Sequence, residues 1–175
     1  MKETQTYITV KDHKEDFPHK ILCKLLNPSK SDIGKISKII LDRINQKLVT
    51  STSANQWKNT QSVIDWYVNI PNKKHSTFAV FDIESFYLSI SLELFNKAIT
   101  FASSKCDITE DELNIIMQSR KTLLFHDNHP WVKKNGEEDF DVPMGCNDGA
   151  EICETTGCYI LHQLGSIFNK NSSGL

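Results

Sequence analysis

Between Thr77 and Ile90 the chain reads Thr-Phe-Ala-Val-Phe-Asp-Ile-Glu-Ser-Phe-Tyr-Leu-Ser-Ile, and its apolar run Phe78–Phe81 stops at the carboxylate of Asp82. A short run of apolar, aromatic and β-branched residues bounded by polar ones predicts a buried strand. Such a strand needs a sheet and covering helices, which points to the α/β (α+β) class. Open α/β sheets hold ligands outside the carboxyl ends of their strands, so an acid delivered there is well placed to hold a metal. Aspartate also opens turns, and position alone leaves both readings of Asp82 open.

The rest of the chain frames that strand. With 175 residues there is room for one ordinary domain or for part of a larger one. Hydrophobic residues at 39% and charged residues at 24% are globular values. There is no run of about 18 apolar residues, so no membrane partner is expected. The amino terminus lacks the apolar core of a secretory signal, and five scattered cysteines suit reduced thiols, so the expected location is intracellular. Charge is distributed unevenly. Residues 1–74 carry 13 Lys/Arg against 7 Asp/Glu, a net of +6, while residues 75–175 carry 7 against 15, a net of −8. A basic half suits phosphates and an acidic half suits a metal centre, although charges also partition unevenly by chance.

Element signals follow in order. Tyr7–Val10 and Ile21–Leu26 read as strands of a hairpin around a charged turn. A helix capped near Ser29 or Ser31 places Ile33, Ile36, Ile40, Ile44 and Leu48 on one face and Lys35, Lys38 and Asp42 on a solvated one. Residues 49–56 read as a polar linker. A second helix capped near Asn59 or Thr60 turns Val63, Trp66, Tyr67 and Ile70 inward. Ser91 caps a helix through Ala102 that buries Leu94, Phe95, Ala98, Ile99 and Ala102. Thr109 and Glu112 form a capping box that opens a helix to about Leu124. Residues 126–130 read as a loop, and Asn135-Gly136 predicts a hairpin between Trp131–Lys134 and Asp139–Val142. A last helix starts at Asn147 or Asp148 and repeats through Cys153, Thr156, Ile160, Leu164 and Phe168, before a frayed tail at 169–175.

Three blocks together resemble reverse transcriptases. Phe81-Asp-Ile-Glu-Ser-Phe-Tyr-Leu-Ser-Ile90 is similar to the first palm motif of those enzymes, a strand-end Asp followed at plus five by a large aromatic. Val142-Pro-Met-Gly-Cys-Asn-Asp-Gly-Ala-Glu151 resembles the following palm motif, a Pro-x-Gly turn opening a helix. Lys20-Ile-Leu-Cys-Lys-Leu-Leu-Asn-Pro-Ser29 resembles their basic fingers segment. The resemblance spans about residues 7 to 168. It implies a partial right-hand polymerase fold, with a fingers-like segment at 1–76 and an incomplete palm at 77–168. The implied chemistry is template-directed nucleotidyl transfer by two Mg2+ ions, with RNA or DNA template, primer and deoxynucleoside triphosphates as partners.

The same resemblance implies roles. Asp82 is the first metal-binding carboxylate and the Ile83 carbonyl a second contact. Tyr87 packs under the sugar of the incoming nucleotide, against the bland reading that it fills a core. Gly145 lets backbone approach a base or sugar. Lys20 and Lys24 face the triphosphate, although the family commonly has arginine where Lys24 stands. Lys11 and Lys14 read as template contacts or as ordinary surface lysines. Asp148 is equally a helix cap paired with Glu151.

Departures from the family are as informative. Reverse transcriptases take their remaining metal carboxylates from a later tyrosine-x-aspartate-aspartate hairpin, and no adjacent Asp-Asp pair occurs in these 175 residues. The expectation is a polymerase fragment that does not polymerise alone. Two alternatives are a nucleic-acid-binding remnant without chemistry, and a different transferase using Asp82-Ile-Glu84 as an acid-x-acid metal motif. His126-x-x-His129 is a weak metal signal, and the cysteines lack zinc-site spacing.

Overall fold

The computed structural model describes residues 7–12, 15–21, 23–26, 30–52, 57, 59–75, 77, 80, 82–121, 124–126, 129–131 and 140–172. Two short strands, β1 (Tyr7–Val10) and β2 (Cys23–Leu26), pair antiparallel with Tyr7 opposite Leu26 and Val10 opposite Cys23. Helix α1 (Asp32–Thr52) follows, then α2 (Thr60–Asn69), a 3-10 turn at Lys73–His75, and the single-turn α3 (Phe86–Ser89). Helices α4 (Leu92–Ser103) and α5 (Glu110–Ser119) lead to a second antiparallel pair, β3 (Leu124–His126) with β4 (His129–Trp131). The long helix α6 (Gly149–Ser172) comes last. The described residues are therefore mainly helical, and each of their two sheets has only two strands. The expected mixture of helices and strands is present; a larger sheet is not found among them.

Helix α6 is the axis of the core. It packs against α1, α4 and α3, while α1 also packs against α5. The buried apolar side chains are Ile40, Leu41, Ile44 and Leu48 of α1, Ile90 just before α4, Phe95, Ala98, Ile99 and Ala102 of α4, Ile116 of α5, and Ile152, Cys153 and Cys158 of α6. Phe140 and Val142 close the end beside Phe95, with the Phe95 and Phe140 rings 5.6 Å apart. Local signals place these helices well. Ser91 accepts from the Leu94 amide at 3.1 Å, and Thr109 and Glu112 form the reciprocal capping box.

Several expectations change. Helix α1 continues to Thr52, through part of the segment read as a linker. Its buried stripe is Gly34, Ser37, Ile40, Leu41, Ile44, Asn45 and Leu48, small or polar in the early turns, and Ile33 and Ile36 lie outside it and are exposed. Lys38 is no bystander on a solvated face, since its ammonium pairs with Glu151 of α6. Leu94, expected in the core with the rest of its helix face, is half-buried. Helix α5 ends at Ser119, and residues 124–126 and 129–131 form a hairpin where a loop was expected. The hairpin around Asn135-Gly136 lies outside the described residues; at its predicted end, Phe140 bridges to Lys121. Helix α2 buries none of its residues, so Val63, Trp66 and Tyr67 do not face a core. No described helix is long and apolar enough to cross a membrane.

Candidate functional site

The Pro143–Gly145 turn is built as its sequence suggests. The Cys146 amide donates to the Pro143 carbonyl at 3.4 Å, and Gly145 adopts φ 97°, a conformation that side chains disfavour. Asn147 then donates to the Ser31 carbonyl at 3.0 Å, which ties the turn to the start of α1. Helix α6 begins at Gly149.

Against this turn lies Tyr87. A Cβ placed on Gly149 would sit 3.4 Å from Tyr87 Cε1, 3.4 Å from the Pro143 carbonyl and 2.8 Å from Cys146 Sγ. Gly149 is thus the point where α3, the turn and α6 meet. Residues of the blocks 81–90 and 142–151 come together there, although Tyr87 and Gly149 lie 62 positions apart in the chain.

Burial pushes the Tyr87 hydroxyl above its ordinary value, helped by the thiols of Cys153 and Cys146 and by the Glu151 carboxylate. Burial likewise raises Cys153, to about 11, against the opposing hydrogen bond from Tyr87. Cys146 is also raised by burial, which outweighs the Arg120 guanidinium beside it. These thiols are protonated near neutral pH and are not poised as nucleophiles.

Below the turn is a network that no sequence signal announced. Arg120 and Asp148 form an ion pair with side chains only 1% and 0% exposed. Ser119 donates to the second Asp148 oxygen at 2.7 Å and accepts from Arg120 Nε at 3.2 Å. Arg120 also reaches the Asp141 carbonyl and Cys146 Sγ, each at 3.5 Å. The reading of Asp148 as a helix cap paired with Glu151 is therefore corrected, since the Asp148 carboxylate turns to Arg120 and Ser119 and Glu151 turns to Lys38. A second clamp joins α6 to α1, where Asn45 donates to the Glu151 carbonyl at 2.9 Å and accepts from Thr155 at 2.6 Å. The available signal was modest: Arg120 is one of only two arginines, and it closes a helix with a strong start.

Asp82 is exposed and lies outside any described strand. Of the expected strand, Phe78, Ala79 and Phe81 fall outside the described residues, and Val80 is 93% exposed. Ile83 is also exposed, and the chain turns at Glu84 and Ser85, where Ser85 has φ 53°. Glu84 therefore does not share a continuing strand face with Asp82. Lys20 is exposed beyond the β1–β2 turn, while Lys24 sits within β2 opposite Thr9. Lys11 is partly buried, and Lys14 is outside the described residues.

Among the described residues no group of three or more His, Cys, Asp or Glu is arranged to hold a metal ion. Magnesium keeps several waters and takes one or two carboxylates together with substrate phosphates. Among the described residues Asp82 is exposed and belongs to no group of three or more such donors. Comparison of the chain with family models, with curated proteins and with solved structures found no match.

Proposed function

We propose that this chain is a fingers and front-palm portion of a retroelement-type RNA-directed DNA polymerase, acting inside the cell on a primed RNA or DNA template. The observation that carries the reading is the meeting of Tyr87 with Gly149 beside the Gly145 turn. Two sequence blocks that resemble consecutive palm motifs thus share one place, as a nucleotide-binding floor requires. In this reading the Tyr87 ring supports the sugar of the incoming deoxynucleotide, and Gly145 leaves room for its base. Asp82 and the Ile83 carbonyl would hold one Mg2+, which would supply neutralisation of charge on the transferring phosphate. Lys20 and Lys24 supply point charges toward the triphosphate tail.

Without a second carboxylate pair the chain binds nucleotide but does not extend a primer. The second reading is a nucleic-acid-binding remnant without chemistry, suggested by the net charge of +6 on residues 1–74. Electron paramagnetic resonance of Mn2+ separates the two. With a deoxynucleoside triphosphate present, the polymerase reading expects bound Mn2+ that disappears in Asp82→Asn, and weaker nucleotide binding in Tyr87→Ala. Mn2+ and nucleotide binding indifferent to both substitutions would leave only the remnant. Clear primer extension by the chain would overturn the claim that it is catalytically incomplete.

A further inference from the structure

Helix α2 has the spacing of a core helix but none of its residues is buried. Val63, Trp66 and Tyr67 recur at the three- and four-residue intervals of one helix face. Trp66 is 36% and Tyr67 50% exposed, and Trp57, 45% exposed, brings its ring to 4.7 Å from that of Trp66. The helix is held as a helix by its own ends. Asn59 accepts from the Ser62 amide at 2.8 Å, and Lys73 donates to the Val68 carbonyl at 2.6 Å.

The border of this aromatic face is cationic. Lys73 Nζ lies 5.2 Å from the centre of the Tyr67 ring, and exposed Lys74 and His75 complete the 3-10 turn that follows. Asp65, the one acid of the helix, lies about 100° around the axis from Trp66 and accepts from Gln61 at 2.7 Å. Flat rings with Lys73 over one of them and Lys74 next in the chain, in a half-chain of net charge +6, complement a polyanion that carries flat rings of its own. Stacking needs bases that are not already paired.

We infer that Trp57, Trp66 and Tyr67, with Lys73 and Lys74, form a platform on which an unpaired nucleic-acid strand stacks. The inference does not rest on the nucleotidyl-transfer reading, since it uses no metal and no residue of the turn. An apolar partner protein or a second copy of the chain would also cover rings, but neither would call for the lysine border.

Intrinsic fluorescence tests it. In a Trp131→Phe background Trp57 and Trp66 are the only reporters, because the chain has three tryptophans. Single-stranded oligonucleotides of about 12 residues, within the usual span of such sites, should quench them and bind at least about ten-fold more tightly than a duplex of the same sequence. Trp57→Ala with Trp66→Ala removes both reporters, so its binding is read by the anisotropy of a fluorescently labelled oligonucleotide, and it should be weaker by roughly ten-fold or more, as removal of stacking does. Lys73→Gln with Lys74→Gln should lower the salt dependence by about 0.7 for each phosphate no longer neutralised. Circular dichroism checks that each variant keeps its helices, and the lysine pair serves if the tryptophan pair does not fold. Asp82→Asn should leave all of this unchanged, so failure here is distinguishable from failure of the polymerase reading. Equal affinity for duplex, no response to either pair of substitutions, or ring burial by self-association in sedimentation would overturn the platform.

Discussion

Helices α2 and α6 have similar apolar spacing and opposite surroundings. The first twelve residues of α6 are mostly buried, among them Ile152, Cys153, Thr155, Thr156 and Cys158. In α2, Val63, Ile64, Tyr67 and Val68 are exposed. Periodicity tells that a helix has an apolar face; it does not tell what meets that face. What separates the two is polar chemistry. Helix α6 is tied by Asp148 to Arg120, by Glu151 to Lys38 and by Thr155 to Asn45. The capping bonds of α2 run instead to its own ends and to the turn after it.

The sharpest way to break this contrast is Arg120→Ala. It leaves the Asp148 carboxylate buried without its cation and should cost about 3–5 kcal/mol, measured by urea unfolding. Replacing both partners together should cost less than the sum of the single changes, and additivity would show that the pair is not coupled. Next in size, Leu41→Ala in the core should cost about 2–5 kcal/mol, while Val68→Ala on α2 stays within roughly 0.5 kcal/mol. Equal losses would mean that α2 has a covered face after all.

Two glycines of α6 make a smaller test. Gly149→Ala drives a methyl to 2.8 Å from Cys146 Sγ and should cost about 1–3 kcal/mol. Gly157, with nothing within 4 Å of its added Cβ, should gain up to about 1 kcal/mol on change to alanine. Finally, pH reads the buried thiol. The folded state holds the Cys153 proton up to about 11, above its ordinary 9.0, so the unfolded chain releases it first as pH rises. The resulting stability is intact below pH 9.0 and is lost toward 11, by up to about 1.4 kcal/mol per pH unit. Cys153→Ala should flatten that part of the profile.

Much of the helical framework was legible in the residues. Ser91 and the Thr109–Glu112 box mark their helices because capping is local, decided within four residues. The Gly145 turn was legible for the same reason. The Arg120–Asp148 pair was not, because its partners lie 28 positions apart and neither residue carries a sign of burial. The exposure of α2 was illegible too, since it depends on which surfaces the other helices present. At the candidate site the residue pattern singled out Tyr87 and Gly145, and the structure adds Gly149 as the point where Tyr87 meets Cys146 and the Pro143 carbonyl.

The buried ion pair also fastens an arm. The chain departs at Arg120 and returns at Asp148, so the two ends of the intervening excursion are joined at its base. Closing a longer excursion on a fixed base adds only about 0.6 kcal/mol for each doubling of length. Residues inserted in the connection between Lys121 and Phe140, which bridge to each other, should therefore leave the glycine bend where it is. Evolution could lengthen that connection while the turn on which Tyr87 rests kept its shape.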